Sequence, residues 1–395
     1  MADKLVVVGA SLAGIKAVQE LRLLGYGDAI TLIGAEPHGP YDRPPLSKGF
    51  LSGTVSADDL RLVDDDALAA LDVELLLGTE ATGLDVESMQ VQCGDRRVDY
   101  DRLLIATGAS PRRPTWFRGL PGLHVLRSID DADGLRADIA AAETIVVVGG
   151  GFIGTEAAAH LTASGKRVTV VTDADTLVPP LGTHMADLVT ELHRSRGVGV
   201  VTGAVVDGLL GDDRVRGVEL ADGRTIAADA VLVSIGAVPE TRWLNGSLVS
   251  DNGSLTCDPD GRVNETVWAA GDVTSQGAGH WFSAVNQARR VARSMLGVVD
   301  NTTRRLEQEV RYMWTDQFEF KVQMLGVAMP GDEFTVVSQA EPGSPEIAGL
   351  FSRDGMVSGG VVVNRPRDLA VVRRVVGAAE PLESALDSFP RKVVA

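Results

Sequence analysis

Cysteine is scarce in this 395-residue chain: Cys93 and Cys257 stand far apart, with no C-x-x-C spacing. That argues against a disulfide scaffold or a cysteine-ligated zinc site, and the six histidines show no metal or triad spacing either. No apolar run reaches membrane-span length, and Met-Ala-Asp-Lys leads straight into a strand without the shape of a signal peptide. A soluble, cytoplasmic protein is expected. Positive charge is in deficit: 37 Lys and Arg face 54 Asp and Glu, for a net charge of −17. Such a field disfavours nucleic acid and anionic membrane, and reads simply as solubility.

Glycine is plentiful, with 44 residues in a chain that is 45% apolar, as suits a large α/β protein of two to three domains. The run Leu5–Val8 is short enough for a buried parallel strand. Gly9-Ala-Ser-Leu-Ala-Gly14 follows, and then Ile15, Val18, Leu21 and Leu24 recur at helical spacing. Gly25 and Gly27 break that helix, Ile30–Ile33 is a second strand, and Glu36 lies just past it. This is a βαβ dinucleotide unit. Its glycines allow close backbone approach, its helix N-terminus offers N–H groups to a pyrophosphate, and its terminal acid suits ribose hydroxyls. Ser11 replaces the middle glycine of the motif, although its hydroxyl can still face a phosphate.

The same plan restarts at Thr144. Ile145–Val148 is a strand, and Gly149-Gly-Gly-Phe-Ile-Gly154 carries all three glycines, Gly149, Gly151 and Gly154. A helix holding Glu156, Ala159 and Leu161 precedes a strand at Val168–Val171. One such motif is weak evidence, but two in full strand–turn–helix context point to two dinucleotide sites. Further strands end in turns at Leu103–Ala109, Ala230–Gly236 and Val267–Val273, the last placing Asp272 at a carboxyl end, where α/β ligands bind. Ala57–Leu71 and Ala284–Leu296 read as helices, Val73–Leu77 as a strand, and Met89–Cys93 with Arg97–Tyr100 as a hairpin about Gly94-Asp95. From Thr303 the texture changes to antiparallel strands at Phe318–Gly326, Phe334–Ser338, Gly349–Arg353 and Val357–Val363. Short helices at Leu369–Val376 and Leu382–Ser388 follow, making a separate α+β domain.

Six strings then converge. GASLAG, Tyr41-Asp-Arg-Pro-Pro-Leu-Ser-Lys48, Ala106-Thr-Gly-Ala109, GGGFIGTE, Ala270-Gly-Asp-Val273 and Trp314-Thr-Asp-Gln317 run nearly end to end. In them the chain resembles the FAD-dependent ferredoxin reductases of oxygenase systems, within the pyridine nucleotide-disulphide oxidoreductases; apoptosis-inducing factor shares the architecture. The resemblance implies an α/β fold with two Rossmann-like, glutathione-reductase-like domains and a C-terminal α+β domain. Its implied boundaries are 1–112 with 242–301 for FAD, 113–241 for NAD(H) and 302–395 for the last domain.

Two dinucleotide sites suggest hydride transfer from nicotinamide to flavin, with FAD converting a two-electron donor into single-electron steps. Related disulphide reductases carry a redox cysteine pair soon after the first βαβ unit, where this chain has YDRPPLSK. Electrons are therefore expected to leave to an external carrier, in the family a [2Fe–2S] ferredoxin feeding a Rieske dioxygenase or haem monooxygenase.

By resemblance, Lys48 and Glu156 meet near flavin N5, where the ammonium favours the anionic reduced flavin; the alternative is a structural ion pair. FAD contacts are implied for Gly9, Ser11, Leu12, Ala13, Gly14, Glu36, Arg43, Lys48, Ala81, Ala106, Thr107, Gly108, Arg127, Gly271, Asp272 and Trp281. Arg43 and Arg127 have surface charges as their alternatives, and Asp272 a turn or N-cap aspartate. Trp281 and Trp314 resemble aromatics around the isoalloxazine, Gln317 is expected near the nicotinamide or flavin edge, and His280 and Phe282 leave that edge open. NAD contacts are implied for Gly149, Gly151, Phe152, Ile153, Gly154, Glu156, Thr172, Asp173 and Gly236.

No Arg or Lys occurs from Thr172 to His184, while Asp173 and Asp175 would repel a 2′-phosphate and Pro179-Pro180 replaces a basic residue of many relatives. NADH is favoured over NADPH. Ferredoxins of this type are acidic, so Arg289-Arg290, Arg293 and Arg304-Arg305 are candidates for a docking patch, against the alternative of a solvated helix face. The rival functions are a reductase for rubredoxin, quinone or another small acceptor, and an NADH-responsive sensor or scaffold of the apoptosis-inducing-factor type. A monomer or weak homodimer is expected.

Overall fold

The computed structural model describes residues 3–250, 252–276, 279–307, 309–341 and 344–389, without the side chains of 304, 305 and 307. The chain separates into two compact units. One comprises residues 1–43, 57–110 and 237–309, the other 44–56, 111–236 and 310–395.

In the first unit, five parallel strands lie in the order Val267–Ala269, Arg102–Ile105, Leu5–Val8, Ile30–Ile33, Glu74–Leu76. Leu5–Val8 is wholly buried, which explains a continuous apolar run instead of alternation. Helix Leu12–Leu23 and helix Trp281–Met295 bury Ile15, Val18, Leu21, Ala288, Val291 and Ala292 in one cluster against this sheet. A three-stranded antiparallel sheet, Gly83–Asp85, Gln90–Cys93 and Arg96–Asp99, completes the unit.

The second unit repeats the plan with five parallel strands ordered Gly199–Val201, Arg167–Val171, Thr144–Val148, Ala230–Val233, Leu123–His124. An antiparallel meander, Val206–Leu210, Gly217–Leu220 and Thr225–Ala227, accompanies it. A five-stranded antiparallel sheet follows in the order Tyr312–Gln317, Phe320–Gly326, Met356–Val363, Ile347–Arg353, Glu333–Gln339. Helix Pro366–Gly377 covers it, its Val372 set against Gly360. The fold class is α/β with two Rossmann-like sheets and an α+β C-terminal part.

Several local expectations are corrected. Ala57–Leu71 is not one helix. It divides into a 3-10 turn at Asp58–Leu60 and a helix at Asp65–Ala70, because Arg61 turns extended and pairs with Tyr41, while Asp64 caps a fresh start by accepting from Ala67 N–H. The strand at Leu103 ends at Ile105, before the Ala106-Thr-Gly turn. Phe318 sits at φ 56 in a turn, so the C-terminal hairpin starts six residues earlier than expected, with Tyr312–Gln317 as its first strand.

Candidate functional site

Parallel pairing fixes the first cradle. Val8 is level with Ile33 and Ile105, and Ile105 with Ala269, so Gly9, Glu36, Ala106 and Gly271 all emerge from one end of the sheet. Gly9 lies at φ +122, and a Cβ there would stand 2.2 Å from the Ala106 carbonyl oxygen. A Cβ on Gly14 would stand 2.0 Å from the Gly9 carbonyl oxygen, so both positions require glycine for the helix to reach the strand. Gly271 packs on Ala13 and donates its N–H to the carboxamide of buried Gln287 at 2.8 Å.

Ser11 occupies the N-cap of helix Leu12–Leu23 but makes no side-chain cap bond, leaving its hydroxyl for other partners. Arg43 Nε approaches that hydroxyl at 3.4 Å. Arg43 also pairs with Glu36 at 2.6 Å and donates to the Tyr41 hydroxyl at 3.0 Å, which in turn donates to Glu36 at 2.5 Å. Trp281 Nε1 donates to Asp42 at 2.7 Å, tying the proline-rich segment to the helix that carries Trp281. Thr107 donates to the Glu240 carbonyl at 2.7 Å. The structure thus brings Gly9, Ser11, Leu12, Ala13, Gly14, Glu36, Arg43, Ala106, Thr107, Gly108, Gly271, Asp272 and Trp281 into the unit built on the first sheet. Ala81, nearly buried, belongs to it too. Arg127 lies in the other unit, where its backbone N–H binds Asp131 beside the cap of helix Ile129–Ala141.

The second cradle has the same form. Gly149 lies at φ +109 with room for no Cβ against the Ser234 carbonyl, and Gly154 closes on Gly149. Gly151 faces open space, as a phosphate would need, while Ile153 is exposed. Gly236 follows the neighbouring strand, accepting from Arg112 N–H at 2.9 Å. The strand expected to end in an acid stops at Val171; Thr172 is buried, and Asp173 and Asp175 are exposed. Val178, at φ 49 and fully buried, ties this loop to the cradle through its N–H to the Gly150 carbonyl at 2.7 Å.

Helix Phe152–Ala163 turns Glu156 inward to 4% exposure. Four donors converge on its carboxylate: Lys48 Nζ at 2.8 Å and Ser47 Oγ at 2.7 Å on one oxygen, Thr315 Oγ1 at 2.6 Å and Asp316 N–H at 3.2 Å on the other. Lys48 also donates to the Pro44 carbonyl at 3.1 Å and lies 3.8 Å from Asp316. The ammonium is the more accessible partner, its side chain 15% exposed against 5% for Glu156. Fully buried Gln317 spends its amide hydrogens on Thr155 and Thr315, so it stands behind the site and not at a ligand edge. Trp314 stacks on Tyr312, with the Lys321 ammonium over its ring.

One other expectation changes. Arg293 is no docking residue: it is buried and paired with Glu20 at 2.7 Å and Asp300 at 2.8 Å. The side chains of Arg304 and Arg305 lie outside the described residues. Burial pushes both thiols up, Cys93 and Cys257 alike, which disfavours the reactive thiolate. Ser47, Thr315 and Gln287 were missed; Ser47 and Thr315 carried a signal, as members of YDRPPLSK and of Trp314-Thr-Asp-Gln317, and Gln287 carried none. Among the described residues no cluster of His, Cys, Asp and Glu could hold a metal, and no helix is long and apolar enough to cross a membrane.

Residues 3–288 match the pyridine nucleotide-disulphide oxidoreductase family, and residues 312–388 match the reductase C-terminal family. The chain belongs to the pyridine nucleotide-disulphide oxidoreductases. A probable ferredoxin reductase of Castellaniella defragrans is 31% identical over 95% of this chain and 93% of its own. The ferredoxin–NAD(+) reductase component of the p-cumate 2,3-dioxygenase system of Pseudomonas putida is 34% identical over 95% and 93%. Among solved structures, a covalent putidaredoxin reductase–putidaredoxin complex superposes with a TM-score of 0.90 at 29% identity, covering 99% of this chain and 97% of that one. Within this family the chain has kept both cradles but, with only Cys93 and Cys257, has no cysteine pair after the first βαβ unit.

Proposed function

We propose that this protein is a cytoplasmic flavoprotein NADH:ferredoxin reductase that supplies single electrons to a [2Fe–2S] ferredoxin of an oxygenase system. The observation that carries the reading is the pairing of two complete dinucleotide cradles with the Lys48–Glu156 ion pair, in a chain without a redox cysteine pair. FAD belongs in the first cradle and NADH in the second. The domain division we favour is 1–112 with 242–301 for FAD, 113–241 for NADH and 302–395 for the C-terminal domain.

Both cradles fit their ligands, since each has a glycine-lined backbone beneath a helix N-terminus. The first adds Ser11 and Arg43 for phosphate and Glu36 and Asp272 for hydroxyls. Bound FAD supplies the conversion of a hydride into single electrons. Lys48 offers a fixed positive charge where negative charge develops, and Glu156 aims it. Asp173 and Asp175 keep the second cradle free of a 2′-phosphate. Support for the ferredoxin comes from the relatives' names and from burial of both thiols.

The test is anaerobic reduction of a [2Fe–2S] ferredoxin by catalytic amounts of the protein and NADH, with rubredoxin and a quinone run alongside. Bleaching of the iron–sulphur absorbance at turnover rates is expected. Slow ferredoxin reduction beside a long-lived FAD–NAD complex would replace this reading with the sensor.

A further inference from the structure

His193 is fully buried on helix Thr183–Ser195. Its Nε2 meets Gln317 Oε1 at 2.8 Å, and its Nδ1 has no hydrogen-bond partner among the described residues. From Gln317 the bonds continue through the carboxamide nitrogen to Thr315 Oγ1 at 2.8 Å, and from Thr315 to Glu156 at 2.6 Å.

The direction of every proton in this chain follows from one charge. The Glu156 carboxylate only accepts, so the single Thr315 hydroxyl proton must point at it across 2.6 Å. Thr315 Oγ1 must then accept from Gln317, whose second amide hydrogen goes to Thr155 Oγ1 at 2.9 Å. That leaves Gln317 Oε1 facing His193, and His193 must donate from Nε2. Turning the carboxamide over would set Gln317 Oε1 against Thr315 Oγ1 at 2.8 Å with no proton between them. The cost of this order is the orphaned Nδ1, and a buried polar atom without a partner calls for an explanation.

We propose that His193 is a positioning residue for the Lys48–Glu156 pair: by donating from Nε2 it locks the Gln317 carboxamide, which keeps the Thr315 hydroxyl aimed at Glu156. The proposal rests on reading that pair as the catalytic pair of the reductase. Other charged groups are accounted for. Lys48 and Asp316 face Glu156 from the proline-rich segment and the Tyr312–Gln317 strand, and His160 lies one turn along its own helix. Beyond His193 is the Phe318 ring, with the guanidinium of Arg196, which pairs with Glu319, over it. Burial lowers the proton affinity of His193, in keeping with a neutral ring.

The experiment uses the flavin-loaded protein, His193→Leu and His193→Gln, since a glutamine amide keeps a donor near the Nε2 position. Side-chain nitrogen-15 spectra of wild type, with six histidines to resolve and His193 assigned through its contact with the Phe318 ring, are expected to show an Nε2–H ring that does not titrate near neutral pH. An Nδ1–H or charged ring overturns the proposal even if no variant folds. In stopped flow with NADH, His193→Leu should slow flavin reduction by roughly ten- to a hundredfold. Its pH profile should change, because the Thr315 hydroxyl is then no longer held on Glu156. His193→Gln should restore both. A rate loss with an unmoved pH profile, or one that glutamine does not rescue, assigns His193 a purely structural role and overturns the proposal. Failure of wild type itself to reduce its flavin would instead sink the proposed function and leave the spectroscopic arm standing.

Discussion

Lys48 Nζ lies 2.8 Å from Glu156 Oε2, although 108 positions separate the two residues. The contact joins the most distinctive string of the sequence to the helix of the second cradle. Ser47, next to Lys48, donates to the same oxygen, so two consecutive residues of YDRPPLSK are devoted to one buried carboxylate. The short turn Pro44–Ser47 presents them together.

Removing the lysine should therefore be costly. Lys48→Met leaves Glu156 buried with three neutral donors and is expected to lose about 3 kcal/mol of stability, the usual cost of stranding one partner of a buried pair. Asp316→Asn, which alters a half-exposed carboxylate 3.8 Å from the ammonium, should cost under about 0.5 kcal/mol. Urea unfolding of flavin-stripped protein checks both, because lost cofactor would otherwise lower the midpoint by mass action. Equal losses would show that Asp316, not Glu156, holds the charge.

Ser11 offers a cleaner separation of binding from folding. An N-cap serine normally contributes about 1 kcal/mol to its helix, but this one makes no cap bond. Ser11→Ala is expected to leave unfolding of the flavin-free protein within about 0.5 kcal/mol of wild type, while weakening FAD retention on dilution. Lower stability with unchanged retention would make the residue a cap after all.

We infer that two exposed aspartates, Asp173 and Asp175, set the nicotinamide choice. Replacing Asp175 with Arg and Asp173 with Ala should raise the preference for NADPH over NADH about tenfold or more, the worth of one hydrogen bond to a charged group. Reduction rates at limiting concentrations of each cofactor measure it. An unchanged ratio would place the adenosine ribose away from this loop.

Stability should fall on mild acidification. Burial lowers the proton affinity of His193, with Gln317 only partly opposing, and burial does the same for His160. The unfolded chain then binds more protons from about pH 6.5, the ordinary histidine value, down toward the depressed folded values. The stabilisation is complete above about pH 6.5 and declines below it. A second loss is expected in stronger acid. Asp229, held low by Thr144 and Glu143 N–H groups, and Asp138, held low by Arg214 and His124 against its burial, must then be protonated. Thermal midpoints from pH 8 to pH 4 should show the first decline weakened in His193→Gln; a flat curve between pH 7 and pH 5.5 would contradict it.

Much of this was legible in the sequence because it obeys local rules. Leu5–Val8 and Ile30–Ile33 fall where apolar runs bounded by glycines place them, and Gly9, Gly14, Gly149 and Gly154 sit at contacts that permit no side chain. What escaped depends on partners distant in sequence. Nothing near Arg61 announces that Tyr41 will pair with it and interrupt a helix. Arg293 reads as a solvated helix residue until Glu20, on another helix, closes over it. Gln317 reads as a ligand contact because it ends a family string, yet a side chain with no exposed surface works through Thr315. His193 has no local pattern at all, and its role follows only from the carboxylate three bonds away.

Hydride transfer from NADH to a flavin bound by this chain is followed by anaerobic stopped-flow mixing with NADH or with NADPH. Purified protein should be yellow, and NADH should bleach its flavin absorbance rapidly while NADPH does so far more slowly. Protein that carries no flavin, or flavin that neither cofactor bleaches, would rule out a reductase.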